Sequence, residues 1–93
     1  MDEKAKFLLI IDDVFNIYAR GTVVTGQIKK GELKVGDMLE LIADDKVFKT
    51  KCKMLEKYRK IVNEAKEGEW VGVVLSDVSK QDVKRGMKLI VRE

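Results

Sequence analysis

A chain of 93 residues, 45% hydrophobic and 38% charged, makes one domain with a modest core. The absence of His and the presence of a single Cys remove the commonest general base and metal ligand, and leave no structural zinc site or disulfide framework. No apolar run approaches the roughly 20 residues of a membrane-spanning helix, Met1-Asp2-Glu3-Lys4 lacks the basic start and apolar region of a signal peptide, and a lone Cys52 suits a reducing compartment, so the expected location is cytoplasmic.

Taken in chain order, Phe7 to Ile11 and Val14 to Tyr18 are β-rich segments around Asp12-Asp13, which predicts a bend rather than a break. Arg20 to Ile28 is the next strand, dense in the β-branched residues that suit a half-buried pleated surface. Glycines 21, 26, 31 and 36 recur every five residues here. Gly26 interrupts a strand and predicts a bulge, whereas Gly31 and Gly36 lie among polar residues and read as turns. Met38 to Ile42 is a strand, and Ala43 to Lys46 the loop after it. From Val47 to Met54 the alternation is clean, with Phe48, Thr50, Cys52 and Met54 on the inner face and Lys49, Lys51 and Lys53 on the outer. Leu55 beside Met54 predicts a change of phase at a bulge, and Glu56 to Val62 continues the strand or its exit. Asn63 to Glu69 is a polar connection, Trp70 to Leu75 an apolar central strand, and Met87 to Val91 the closing strand. Ser79 followed three residues later by Asp82 is an N-cap pattern, with Gly86 as the stop after a turn or two of helix. The sum is one all-β domain over residues 1–93, a closed antiparallel β-barrel of about six or seven strands with one short helical turn.

Between Lys46 and Lys60, seven cations (Lys46, Lys49, Lys51, Lys53, Lys57, Arg59, Lys60) accompany one acid, Glu56. Several cations on one rigid face suit phosphates, and Phe48 and Tyr58 nearby offer stacking surfaces. Alternating lysines equally describe a solvated strand guarded against edge pairing, and Glu56 a local salt bridge. No Gly-x-x-x-x-Gly-Lys-Ser/Thr loop occurs, and the chain has no room for a nucleotide-binding βαβ unit, so it supplies no GTP site and no magnesium site.

Arg20-Gly-Thr-Val-Val-Thr-Gly26, followed by Lys30-Gly-Glu-Leu-Lys-Val-Gly-Asp37, resembles the second domain of elongation factor Tu, the β-barrel that follows the GTPase domain in translational GTPases. The resemblance runs from about Lys6 to Val91 and takes in Phe7-Leu8-Leu9, Asp13 to Ile17, Glu56, Arg59-Lys60, Gly68, Val71-Gly72-Val73, Asp82-Val83 and Arg85-Gly86. It implies a stand-alone barrel of the translation-factor domain 2 type. In that family the terminal adenosine of aminoacyl-tRNA lies in a pocket on this barrel. The resemblance places Phe15, Ile17, Val23 and Val74 on the pocket's apolar floor, with Glu56 and Arg59 as its acid and base, beside a basic surface of Lys49, Lys51, Lys53, Lys57 and Lys60. An apolar slot accepts a base face, and a fixed carboxylate meets an exocyclic amine or a ribose hydroxyl. The same apolar residues, read singly, also fit a barrel core. Tyr58 and Trp70 depart from the family pattern, Trp70 standing where an Asn lies beside the aminoacyl group. On a strand, Trp70, Gly72 and Val74 share a side, and the expectation is that Trp70 reaches over Gly72 and narrows the pocket. Ala19 replaces a family Gly, and Ile10 stands where Pro is frequent.

Two functions follow. One is a non-enzymatic module that docks on RNA, a tRNA 3′ end or ribosomal RNA, with no cofactor and no membrane. The other is a protein-interaction module in which Trp70 and Tyr58 are interface anchors, residue types enriched at hot spots. An enzyme is disfavoured, because no nucleophile–base pair assembles without His.

Overall fold

The computed structural model describes residues 4–93, so the N-terminal residues on which the signal-peptide reading rests lie partly outside it. Among the described residues there are nine antiparallel strands: β1 (Ala5–Ile17), β2 (Gly21–Lys30), β3 (Glu32–Lys34), β4 (Met38–Ile42), β5 (Val47–Lys57), β6 (Lys60–Val62), β7 (Glu64–Lys66), β8 (Trp70–Leu75) and β9 (Lys88–Arg92). The order β4-β9-β1-β2-β8-β5 closes on itself through β4–β5 pairing, giving the six-stranded antiparallel barrel that the alternation predicts. Closure leaves no free edge among these strands. β6 hangs on β5 outside the barrel, and β3 and β7 form a separate two-stranded ribbon. Among the described residues, no helix is long and apolar enough to cross a membrane.

Side chains alternating inward fill the barrel. Phe7, Leu9 and Ile11 of β1, Val24 and Ile28 of β2, Leu39 and Leu41 of β4, Cys52 and Leu55 of β5, Val71, Val73 and Leu75 of β8 and Leu89 of β9 form one buried cluster. Leu33 and Ala65, paired across β3 and β7, add their side chains to it. Phe48 also packs on the cluster while Lys49, Lys51 and Lys53 are exposed, so the register expected for β5 holds as far as Cys52; Met54, expected on the inner face, is turned to the outer side by the bulge before it.

The register slips at four places in the wall, and two of these bulges, at Asp12 and Lys53, decide which side chains turn outward. In β1 the register slips between Ile11 and Asp13, leaving Asp12 as the extra residue opposite Gly26 and Thr25. The bulge expected at Gly26 therefore has its additional residue on the partner strand. Gly26 answers to close approach: a Cβ there would strike the backbone carbonyl of Ile10 and lie 2.9 Å from Leu9 Cδ2. In β5 the slip falls between Cys52 and Met54, one residue before the position predicted. Each bulge reverses which parity of residue faces the core.

Three local expectations need correction. Glu56 to Val62 is not one strand or its exit; β5 folds back on β6 through Tyr58-Arg59, with φ of 52° and 64°, the mark of a two-residue type I′ hairpin. The polar connection Asn63 to Glu69 contains β7, and the segment after Gly31 contains β3. The short helical turn expected after Ser79 is present as a single 3-10 turn, Lys80–Asp82, in which the Asp82 carboxylate accepts from the Ser79 amide at 2.9 Å, but its expected stop is not. Gly86, φ 93°, belongs to the turn into β9 rather than to the end of this helix.

Candidate functional site

The reversals of phase decide what faces outward. Before Asp12 the odd residues of β1 point inward; after it Val14 packs on the core, and Asp13, Phe15 and Ile17 turn out. In β5, Cys52 and Leu55 point inward, and the bulge sets Lys53 and Met54 side by side between them. Val23 and Val74 alternate with the core residues Val24 and Val73 and lie outside the core cluster. Successive cross-strand partners then form a row over four strands, Phe15–Val23–Val74–Met54. A second row follows two residues along each strand, about 6.6 Å away: Asp13–Thr25–Gly72–Glu56, continued by Ile61.

The two rows meet around Gly72. A Cβ built there would lie 3.9 Å from Glu56 Cβ, 3.9 Å from Val23 Cγ1 and 4.0 Å from Thr25 Cγ2. The missing side chain thus leaves a notch flanked by the methyl groups of Val23 and Thr25 and by the Cβ of Glu56. Val23 and Val74 are only 6% and 5% exposed, whereas Phe15, at 43%, stands up at the rim. Ile17, two residues beyond Phe15 and also well exposed, ends the same outward series.

Of the pocket residues named from sequence, the fold gathers Phe15, Val23, Val74 and Glu56 on one outer face and leaves Ile17 at its margin. Arg59 is exposed in the β5–β6 turn, and Glu56 pairs not with it but with Arg20 of the β1–β2 turn, Nη1 to Oε2 at 3.5 Å. The acid among seven cations therefore finds its partner outside that stretch. The basic surface divides in two. Lys49, Lys51 and Lys53 line the outer side of β5, Lys49 opposite Glu40 of β4. Lys57 is held by the Glu69 carboxylate at 2.8 Å, and Lys60 faces Lys57 across the hairpin. This hydrogen bond from Lys57, with one from the Lys66 amide, holds the Glu69 carboxyl below its ordinary value.

Trp70 and Tyr58 stand apart from the notch. Trp70 does share the outward side with Gly72 and Val74, but no Trp70 atom is among the three nearest to a Cβ at Gly72. Its ring lines a hollow with Ile10, Asp12, Gln27, Lys29 and Arg85 instead, so the expectation that it reaches over Gly72 is not met. At 57% exposure it stands largely in solvent. Tyr58 is exposed at the hairpin tip. Sequence reasoning missed Arg20, Met54 and Thr25 as neighbours of the notch; only the register across strands brings them there. Among the described residues, no group of three or more His, Cys, Asp or Glu is placed to hold a metal ion.

Compared with known protein families, the chain matches elongation factor Tu domain 2 over residues 21–90. The matched span holds β2 through β8 and most of β9, and with them the notch residues Val23, Thr25, Glu56, Gly72 and Val74.

Proposed function

Because the chain belongs to the elongation factor Tu domain 2 family, we propose that it is a non-enzymatic, translation-factor-like barrel that docks on RNA, at a tRNA 3′ end or on ribosomal RNA. It has no GTPase activity of its own. The observation that supports this reading is the notch at Gly72, flanked by Val23, Thr25 and Glu56, on a face that also presents Phe15 and the lysines of β5. A base lies against Val23 and Val74 with Phe15 at its edge, and Glu56 accepts from an exocyclic amine or ribose hydroxyl. Arg59 and the lysines contribute sequence-independent attraction to phosphates.

Titration of a labelled, CCA-ended RNA against salt tests this. Affinity is expected to fall steeply as salt rises. Glu56→Ala should alter the preference for the terminal nucleotide more than overall affinity. Gly72→Val should fill the notch and reduce affinity about tenfold, with the fold kept, because β-branched residues suit an outward strand position and the backbone there is ordinary. Absence of binding at low salt, or binding that ignores salt and Gly72→Val alike, overturns the reading.

A second reading, docking on a protein, is favoured by exposed Trp70, Tyr58 and Ile61 on β8, the β5–β6 turn and β6. Aromatic anchors of this kind dominate interfaces. Under that reading a tagged chain recovers a protein partner from lysate treated with ribonuclease, and Trp70→Ala abolishes the recovery.

A further inference from the structure

We propose that the hollow between the β1–β2 turn and the segment after β8 binds a phosphate of the RNA backbone, next to the nucleotide in the Gly72 notch; the inference rests on the RNA reading above. The hollow has a volume of about 430 Å³, and Asn16, Arg20, Lys53, Ser76, Asp77 and Lys80 are among the residues lining it. Its three cations come from three separate segments, the β1–β2 turn, the β5 bulge and the 3-10 turn. Arg20 is engaged by Glu56, whereas Lys53 and Lys80 have no ion-pair partner among the described residues. A second hollow of about 420 Å³ shares Asn16, Ser79 and Lys80 with the first, so the depression continues along the barrel end.

Its wall is built rigidly. The buried hydroxyl of Thr22 donates to the Val78 carbonyl at 2.7 Å, and that of Thr50 to the Ser76 carbonyl at 2.6 Å. Both fasten the segment that carries Asp77 and Lys80 to the barrel, while Asp82 holds Ser79 at the start of the 3-10 turn. The backbone that carries Asp77 and Lys80 is thereby in place before an anion arrives. The hollow adjoins the notch through two side chains, Lys53 beside Met54 and Arg20 bound to Glu56, while Asn16 and Thr22, one residue along from Phe15 and Val23, face the other side of the wall at the barrel end. A strand whose terminal base enters the notch passes a phosphate over Lys53 and Lys80. The one acid, Asp77, opposes an anion here and provides a test of opposite sign.

Anisotropy of a labelled CCA-ended RNA separates this site from a diffuse basic field. Lys53→Gln/Lys80→Gln should weaken binding about tenfold or more and lower the log–log salt slope by about 1.4, the value for two phosphate contacts on a single strand. Lys34→Gln/Lys66→Gln, an equal charge change on β3 and β7, should lower it by less than half as much. Asp77→Asn should tighten binding several-fold; Asn is at ease at the φ of 56° found there, so the backbone is undisturbed. Circular dichroism checks that each variant folds. Equal losses in the two lysine pairs, or no gain from Asp77→Asn, overturn the phosphate site while leaving RNA binding intact. A wild type that binds no RNA at low salt overturns both.

Discussion

Ala19 sits at φ 68°, third in the turn that the Arg20 amide closes by donating to the Ile17 carbonyl at 2.9 Å. That is the position at which a type II turn calls for Gly, and a Cβ in the left-handed region costs roughly 1–2 kcal/mol. The greater freedom of Gly in the unfolded chain offsets part of this. Ala19→Gly should therefore stabilise the barrel by about 0.5–1 kcal/mol, read as a higher urea midpoint at unchanged slope. The same physics applies with a different outcome at Tyr58 and Arg59, both left-handed in a type I′ turn that favours Asn-Gly. Tyr58→Asn/Arg59→Gly should gain about 1 kcal/mol or more. If Arg59 meets RNA as proposed, the more stable double variant binds the CCA-ended oligonucleotide more weakly. Stability and affinity moving apart would mark the turn as a functional compromise, whereas unchanged affinity would remove Arg59 from the interface.

Among the elements, those with a period were legible and those without were not. β4 and β8 fall on the residues that alternation or an apolar run marks out, and β5 begins where predicted, because each buries a face. β3 and β7 span three residues each and offer no period; their single inward side chains, Leu33 and Ala65, sit among charged neighbours. The β5–β6 hairpin escaped notice because its turn contains neither Gly nor Asn. The site was legible through family resemblance as a set of residues, but not as a surface. Without the bulges at Asp12 and Lys53, simple alternation would carry Phe15 and Glu56 into the barrel. Resemblance also gave no hint of Arg20 as the partner of Glu56, since that contact depends on two turns meeting. The cost of a missed element is measurable. Leu33→Ala should destabilise by about 2–5 kcal/mol, the range for emptying a buried Leu site. Replacing Lys49, Lys51 and Lys53 by Gln should each change stability by no more than about 0.5 kcal/mol, as exposed positions do. Comparable effects in the two sets would mean that β3 contributes little to the core.

For the whole molecule, ionisation reports on closure from both ends of the pH scale. Arg92 of β9 donates to Glu40 of β4, and this hydrogen bond holds the Glu40 carboxyl below its ordinary 4.5. Lys57 does the same for Glu69. Carboxyls lowered by folding stabilise the native state above the unfolded value of about 4.5 and lose that contribution as pH falls through the folded value. Urea midpoints should therefore drop on acidification below this range, and less steeply in Glu40→Gln/Glu69→Gln. Cys52 acts at the other end. Its thiol is fully buried inside β5, and burial, with the nearby Asp37 charge, pushes it from 9.0 up to about 12. Between those values the unfolded chain releases the proton and the barrel keeps it, so this contribution is intact below pH 9.0 and fades as pH rises. Cys52→Ala serves as the reference. The alanine variant should be less stable at neutral pH through lost packing. Above pH 9.0 the gap between the two proteins should narrow by about 1.4 kcal/mol per pH unit. A gap that stays constant to pH 10.5 would mean that solvent reaches Cys52 in the folded state and that the barrel wall opens at the β5 bulge.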